Sequence, residues 1–277
     1  MSEPPVSLEI DTDLTRRVLT GFLRSETASA GFERGVIGLS GGLDSAVTCF
    51  LAAEALGPKN VLAVRLPHAA SSPDSLNDAA EVIRQTGVSE VTYSISEAAD
   101  PLLASLPAKD RIRRGNVLAR LRMIVLYDQS AAFHGLVLGT GNKTELLLGY
   151  TTLFGDSACA LNPLGDLYKT QVRQLAAAVG VPARILAKPP TADLWPGQTD
   201  EGELGVTYAE VDRLLYMLVD ERHSPEACLA AGFKPAMVRK VIERLRRNQY
   251  KRLPPVIAKL SNRTLGYDFL YLRDWGS

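Results

Sequence analysis

The sequence predicts an α/β fold built on a doubly wound parallel sheet, with helices at both ends of the chain. Two observations carry this. Short apolar, β-rich runs alternate with longer segments of helical period, the order that gives parallel strands with crossover helices. One of those runs breaks at Ser40-Gly41-Gly42 and passes directly into an Ala-rich helical pattern. Ligands of such sheets sit at the C-terminal ends of the strands.

The elements follow in order. Residues 8–30 read as a helix with Leu14, Val18, Leu19, Phe22 and Leu23 on one face, and Asp11 or Asp13 as its cap. Residues 35–39 are a first buried strand, and a helical pattern runs from 44 to 56 after the glycine turn. A second strand covers 60–66 and ends at Pro67. Residues 74–85 look helical, 89–95 alternate as a third strand, 112–133 form a long helix and 135–139 a short fourth strand. A helix over 171–179 stops at Gly180. Residues 187–205 carry Pro189, Pro190, Pro196, Gly197, Gly202 and Gly205, a long irregular loop of the kind that usually serves function. Helices near 207–221, 224–231 and 235–248 follow. No repeat or composition break divides the chain, so residues 1–277 read as a single domain: a helical N-terminus (8–30), a nucleotide-binding core (35–180), the loop, and C-terminal helices (207–248) with a tail.

Composition narrows the function classes. The chain has 277 residues, 46% hydrophobic and 22% charged, as expected of a globular protein with a sizeable core. A formal net charge of zero argues against electrostatic binding of nucleic acid. Basic residues do cluster locally, over 109–122 and over 234–252. The N-terminus lacks a signal-peptide pattern, and no apolar run reaches the roughly 18 residues of a membrane span. Three scattered cysteines and three histidines suit neither a disulfide framework nor a zinc site. A reducing, cytoplasmic setting is expected.

The turn after the first strand carries the chemistry. Glycines at 41 and 42 let the backbone take positive φ and approach a ligand closely. Amides of the turn and the N-terminus of the next helix then favour an anion. Ser40 and Ser45 offer hydroxyls to phosphate oxygens. Asp44 is misplaced in a purely anionic pocket and fits better as a ligand to magnesium bridging those oxygens. The string is not a Walker P-loop. The nearest approach to one, Gly139-Thr-Gly-Asn-Lys-Thr144, has Asn142 where the motif needs glycine. Strand-end residues recur elsewhere. Arg65, His68 and Ser71-Ser72 follow the second strand, and Glu145 follows the fourth. Glu145 reads equally as a second magnesium carboxylate or as a first-turn glutamate favoured by the helix dipole.

Ser40-Gly-Gly-Leu-Asp-Ser45 resembles the pyrophosphate loop of the N-type ATP pyrophosphatases. Together with Asn116-Val-Leu-Ala-Arg-Leu-Arg-Met123, Gly139-Thr-Gly-Asn-Lys-Thr-Glu145, Phe154-Gly-Asp156, Asn162-Pro-Leu-Gly-Asp-Leu-Tyr-Lys-Thr170 and Pro190-Thr-Ala-Asp-Leu194, it resembles NAD synthetase over nearly the whole chain. The resemblance implies a Rossmann-like fold of the adenine nucleotide alpha hydrolase type. It implies ATP-dependent amidation of deamido-NAD through an adenylate, with ammonia as nitrogen donor and AMP and pyrophosphate released. ATP would be held by Ser40, Gly41, Gly42, Leu43, Asp44, Ser45, Arg65, Ser71, Thr140, Lys169 and Thr191. Magnesium would lie on Asp44 and Glu145. Deamido-NAD would contact Asn116, Arg120, Tyr150, Asp156, Lys251 and Arg252. Asp44, Lys169, Thr191 and Asp156 would be catalytic, with Asp156 a buried proton acceptor. The loop over 187–205 would act as a lid, although its charges Asp200, Glu201 and Glu203 read as solvated. A homodimer through the 112–133 helix is expected.

Leu153 and the Ser71-Ser72 pair depart from many ammonia-dependent members and look more like the synthetase half of glutamine-dependent enzymes. Free ammonia is the favoured donor; a separate glutaminase subunit is the alternative. GMP synthetase, which shares the glycine turn, and a nucleotide-binding regulatory module without turnover are the remaining rivals.

Overall fold

The structure is a computed structural model that describes residues 7–69, 71–107, 110–191 and 200–268. Four parallel strands, β1 (Gly35–Gly38), β2 (Val61–Arg65), β3 (Ser89–Thr92) and β4 (Leu136–Leu138), pair in the order β3-β2-β1-β4. Val36 lies opposite both Leu62 and Val137. The order places β1 inside the sheet, between a strand that follows it closely and one that returns much later. The C-terminal end of β1 is therefore where the winding reverses, and a crevice opens there. The doubly wound parallel sheet is as the sequence predicts. The third strand is shorter than predicted, yet Tyr93 and Ile95 still donate to Arg65 and Pro67 beyond it.

The helices are α1 (Thr12–Ser29), α2 (Leu43–Leu56), α3 (Pro73–Thr86), α4 (Ser96–Ser105), α5 (Arg111–Phe133), α6 (Lys143–Leu148), α7 (Lys169–Ala178), α8 (Ala183–Ala187), α9 (Asp200–Leu204), α10 (Tyr208–Leu215), α11 (Pro225–Ala230) and α12 (Pro235–Arg247). Caps set their starts. The Asp11 carboxylate accepts from Leu14 N at 2.9 Å, so α1 begins at Thr12 rather than at residue 8. Asp110 does the same for α5 at Ile112. Ser72 caps α3, Pro73 follows at a position that needs no N–H, and Gly87 ends the helix in the left-handed region. The predicted loop over 187–205 contains a short helix, α9; residues 192–199, including most of the Pro190–Leu194 string, lie outside the described residues.

Alternation along the strands assigns each face of the sheet. Ile37, Val61 and Ala63 pack with α1, α2, α3 and α7. Val36, Leu62, Val64 and Leu66 pack with α4 and α5. A third cluster joins α6, α10, α11 and α12 through Leu148, Tyr208, Leu214, Cys228 and Val241. It brings the C-terminal helices against the segment after β4, which completes one wall of the crevice. Among the described residues no helix is long and apolar enough to cross a membrane.

The glycine turn is the tightest point of the fold. Gly41 has φ of 82°, and a Cβ there would run into the backbone carbonyl of Ser75 on α3. Gly42 differs from the sequence expectation. It is extended, with φ of −84°, and caps α2. Only Gly41 requires the left-handed region. Gly41→Ala is expected to lower unfolding free energy by about 2 kcal/mol or more, from the left-handed penalty and the clash together. Urea denaturation checks this.

Candidate active site

The crevice at the strand ends is a cavity of about 930 Å³, at the upper end for a small-molecule site. Gly38 to Ser45 from β1 and α2, Leu66 and Pro67 after β2, and Gly139 and Thr140 after β4 form its floor. In the turn, Ser40 Oγ accepts from Gly42 N at 3.2 Å and lies 3.1 Å from Ser45 Oγ, which donates to Gly42 O at 3.0 Å. The serine hydroxyls thus brace the turn and face the cavity mouth of α2. First-turn amides of this helix have no intrahelical acceptor and are available to an anion.

Lys169, the first residue of α7, is 4% exposed. Its ammonium donates to Asp44 Oδ2 and stands 3.5 Å from Glu145 Oε1. Burial alone would favour the neutral amine, but the Asp44 and Glu145 carboxylates outweigh it and raise the lysine pKa. Glu145 is pushed up to about 8, chiefly by burial, with Asp44 and Asp200 adding to the effect against the pull of Lys169. Carboxylates outnumber ammonium groups here, so the cluster holds room for further positive charge.

The local sequence explains how these groups are aimed. Asn142 caps α6: its Oδ1 accepts from Glu145 N at 3.0 Å, and Glu145 Oε2 accepts from Asn142 N at 3.3 Å. Asn142 Nδ2 also donates to Asp44 Oδ1 at 3.2 Å. Glu145 is therefore both the first-turn glutamate and a carboxylate facing the cluster; one oxygen serves each purpose. Lys143 turns away to Asp166 and Asp220. Thr144 Oγ1 donates to Asp212 Oδ1 at 2.6 Å and accepts from Lys169 N at 3.0 Å, while Thr170 N donates to Asp212 Oδ2 at 2.9 Å. Asp212, fully buried on α10, thus joins the starts of α6 and α7, the two helices that carry Glu145 and Lys169. The sequence reading missed it.

A second missed residue is Asp200. The sequence reading has it solvated; it is 4% exposed, at the start of α9, and lines the cavity. Tyr150 and Tyr208 donate to it, each at 3.1 Å. Burial raises its pKa, opposed by Lys169 and the two phenols. Tyr150 also donates to Glu203 at 3.1 Å.

The other predicted residues divide. Leu43, Ser71, Thr140, Thr191, Asn116, Tyr150, Asp156 and Lys251 all line the cavity. Asn116 accepts from Thr152 Oγ1 at 2.7 Å. Asp156 is exposed rather than buried, and accepts from Thr151 Oγ1 at 2.6 Å and Thr152 N at 2.7 Å. Exposed and already engaged by those two donors, it does not fit the expected role of a buried proton acceptor. Arg65 does not reach the cavity. Strand alternation sends it to the face of Ala63, where it pairs with Glu90 at 2.6 Å. The arginine at the β2 end of the crevice is instead Arg122, which donates to Leu66 O at 3.0 Å. Arg120 is exposed on α5, outside the lining, with Nε on Leu153 O at 3.2 Å. Arg252 is spent on the C-terminal carbonyls of α6, at Leu147 O (2.8 Å) and Leu146 O (3.3 Å). Lys251 spans Gly149 O and Thr151 O, both at 2.8 Å.

The sequence model of the family described as NAD synthase matches residues 15–255. The chain belongs to the NAD synthase family. It is 53% identical over 269 residues to the NH(3)-dependent NAD(+) synthetase of Trichlorobacter lovleyi, covering 97% of this chain and 98% of that protein. The structure of NMN synthetase from Francisella tularensis superposes with a TM-score of 0.81 at 33% identity, over 90% of this chain and 99% of that one. NH3-dependent NAD synthetase from Campylobacter jejuni, in complex with nitrate ion, gives 0.77 at 29% identity, over 90% and 100%. The rival family of GMP synthetase is thereby set aside. Among the described residues, the motifs quoted from the sequence meet around Lys169 or along the walls of this cavity.

Asp212→Ala leaves the Thr144 hydroxyl and the Thr170 amide unpaired in the interior. A loss of about 3 kcal/mol is expected, with a raised KM for ATP in whatever folds. Chemical denaturation and initial-rate kinetics measure the two effects.

Proposed function

We propose that the chain catalyses the ATP-dependent amidation of deamido-NAD to NAD with ammonia, releasing AMP and pyrophosphate. The observation that carries this is the buried Lys169 ammonium between Asp44 and Glu145, directly beside the serine-braced glycine turn, in a member of the NAD synthase family. In this reading the turn and the first-turn amides of α2 hold the ATP phosphates. The nicotinate carboxylate attacks the α-phosphorus, the bond to the β-phosphate oxygen breaks, and pyrophosphate leaves toward the turn. The lone pair of ammonia then forms the amide C–N bond, AMP departs with the C–O electron pair, and a carboxylate takes the proton released from nitrogen. The buried carboxylate Asp200 fits that last task better than exposed Asp156. Thr140 and Thr191 serve the ATP side, and Asn116, Tyr150 and Lys251 the dinucleotide side.

Magnesium is part of the reading. Asp44 and Glu145 converge on a point that already accepts an ammonium charge, and magnesium characteristically takes one or two carboxylates with substrate phosphates. The described residues hold no cluster of three or more His, Cys, Asp or Glu suited to a metal, which such a shared site does not require. When bound, the ion would neutralise polyphosphate charge, held by Asp44 and Glu145.

Ammonia as donor is supported by a relative of nearly the same length that is named for it. The sequence departures at Leu153 and Ser71-Ser72 are not enough to bring in a glutaminase partner. A cytoplasmic homodimer completes the reading, with Ile112, Ile124 and Tyr127 exposed along α5 as the apolar contact. A second reading, amidation of the mononucleotide acid, is favoured by the likeness to NMN synthetase.

Purified chain with ATP, magnesium and deamido-NAD is expected to form NAD and AMP with ammonium, and none faster with glutamine. Turnover confined to nicotinic acid mononucleotide would select the second reading. Asp44→Asn is expected to lower kcat at least about a hundredfold while the circular dichroism spectrum is kept; near-normal turnover would remove Asp44 from the site.

A further inference from the structure

The cavity is electrostatically two-ended. Asp44, Glu145, Asp200 and Glu203 gather around Lys169 at one end. Along the other wall, α12 presents Lys240, whose ammonium lies beside Gly205 close to the acidic end, then Arg244 and Arg247, spaced four and three residues apart and hence on one helix face, and Lys251 continues the row. All four line the cavity. The remaining faces of α12 bury Met237, Val238 and Val241, so packing fixes which side chains the helix turns to the cleft.

Arg244 stands out in this row. Arg247 pairs with Glu243 at 3.1 Å, and Lys251 is held by the Gly149 and Thr151 carbonyls. Arg244 is half-buried in the cavity wall, and its guanidinium makes no ion pair or side-chain hydrogen bond among the described residues. Burial depresses the Lys251 ammonium, and the Arg244 and Arg120 guanidiniums add to this against the pull of Asp156. A half-buried arginine beside a second cation, without its own carboxylate, is the arrangement that an anionic ligand completes.

We propose that Arg244 binds a phosphate of the pyridine nucleotide acid, with Lys251 beside it. This rests on the amidation reading above and deepens it. Two alternatives for the anion are less suited. The ATP phosphates belong at the glycine turn. The nicotinate carboxylate must meet the α-phosphate near Lys169. Helix α6 sets the separation: Glu145 at its start faces Lys169, and Gly149 just past its end meets Lys251. Four residues at 1.5 Å rise carry the backbone ~6 Å from the first point to the second. A pyridine ring and ribose reach at least that far, which puts a nucleotide phosphate at the α12 end. The sequence reading gave this place to Arg252, whose guanidinium the α6 carbonyls occupy instead.

The test is initial-rate kinetics and calorimetry on the full chain, comparing wild type, Arg244→Ala and Arg244→Lys. The ligands are deamido-NAD, nicotinic acid mononucleotide, the phosphate-free nicotinic acid riboside, and ATP. Arg244→Ala is expected to raise KM and Kd for a phosphate-bearing acid by about tenfold or more, the scale of a hydrogen bond to a charged group. ATP and riboside binding should be unchanged, and Arg244→Lys should recover part of the loss. A loss with both nucleotides places the guanidinium on the phosphate they share; a loss with the dinucleotide alone places it on the second phosphate. Arg244→Gln carries the same expectation if the alanine variant is unfolded by circular dichroism. Unchanged nucleotide KM, or equal weakening of the riboside and ATP, overturns the proposal while leaving the amidation reading intact. Failure of the wild type to amidate any nucleotide acid removes that reading itself.

Discussion

A lysine ammonium held away from water between two carboxylates is the constraint around which this structure is arranged. A buried charge is tolerated only when it is paired and hydrogen-bonded. Lys169 meets that condition through Asp44 on the helix after β1 and Glu145 on the helix after β4. Those two strands are neighbours in the sheet but far apart in the chain. The parallel sheet brings the two carboxylates together, and the lysine from α7 closes the set. Removing Lys169 leaves two largely buried carboxyl groups facing each other without a cation.

Everything nearby serves to keep those groups in place. The Asn142 cap orients Glu145 and also touches Asp44. Asp212 reaches across from α10 to the starts of α6 and α7. The Ser40 and Ser45 hydroxyls hold the glycine turn open. These are short polar contacts inside an apolar frame, where each unmade hydrogen bond is costly. The same frame gives the cavity its polarity, with an acidic end around Lys169 and a basic wall on α12. A cation shared with phosphates suits the first, and the phosphates of a nucleotide suit the second.

The features legible in the sequence are those whose cause is local. The glycine turn needs Gly41 for its backbone and Asp44 three residues on, so one short string carries it. Caps such as Asp110 and Ser72 act within one helical turn. Features decided by packing were hidden. Asp200 sits in a segment full of proline and glycine and reads as solvated, but Tyr150 and Tyr208, from distant parts of the chain, bury it. Arg65 is the last residue of a strand that points to the crevice, yet strand alternation turns its side chain away from the cavity, to the face of Ala63. Helix α4 lies in a stretch that the sequence reading assigns to no element; it contains Pro101, and burial of Ala99 and Leu103 against the sheet favours the helix regardless. Arg252 and Arg244 look alike in a basic stretch; only the fold shows that one faces backbone carbonyls and the other the cavity.

In the amidation proposed above, Lys169 acts on the transfer of the adenylyl group and not on holding the acid substrate. The direct measurement is rapid-quench single turnover with ATP labelled at the α-phosphate, magnesium and deamido-NAD, without ammonia, comparing wild type with Lys169→Ala. Formation of the labelled adenylate is expected to slow at least about a hundredfold, as for loss of a charge that stabilises phosphoryl transfer. Deamido-NAD binding should stay within about threefold of wild type, since in the proposed placement its phosphate contacts lie at the other end of the cavity. Adenylate formation at the wild-type rate would exclude Lys169 from that step.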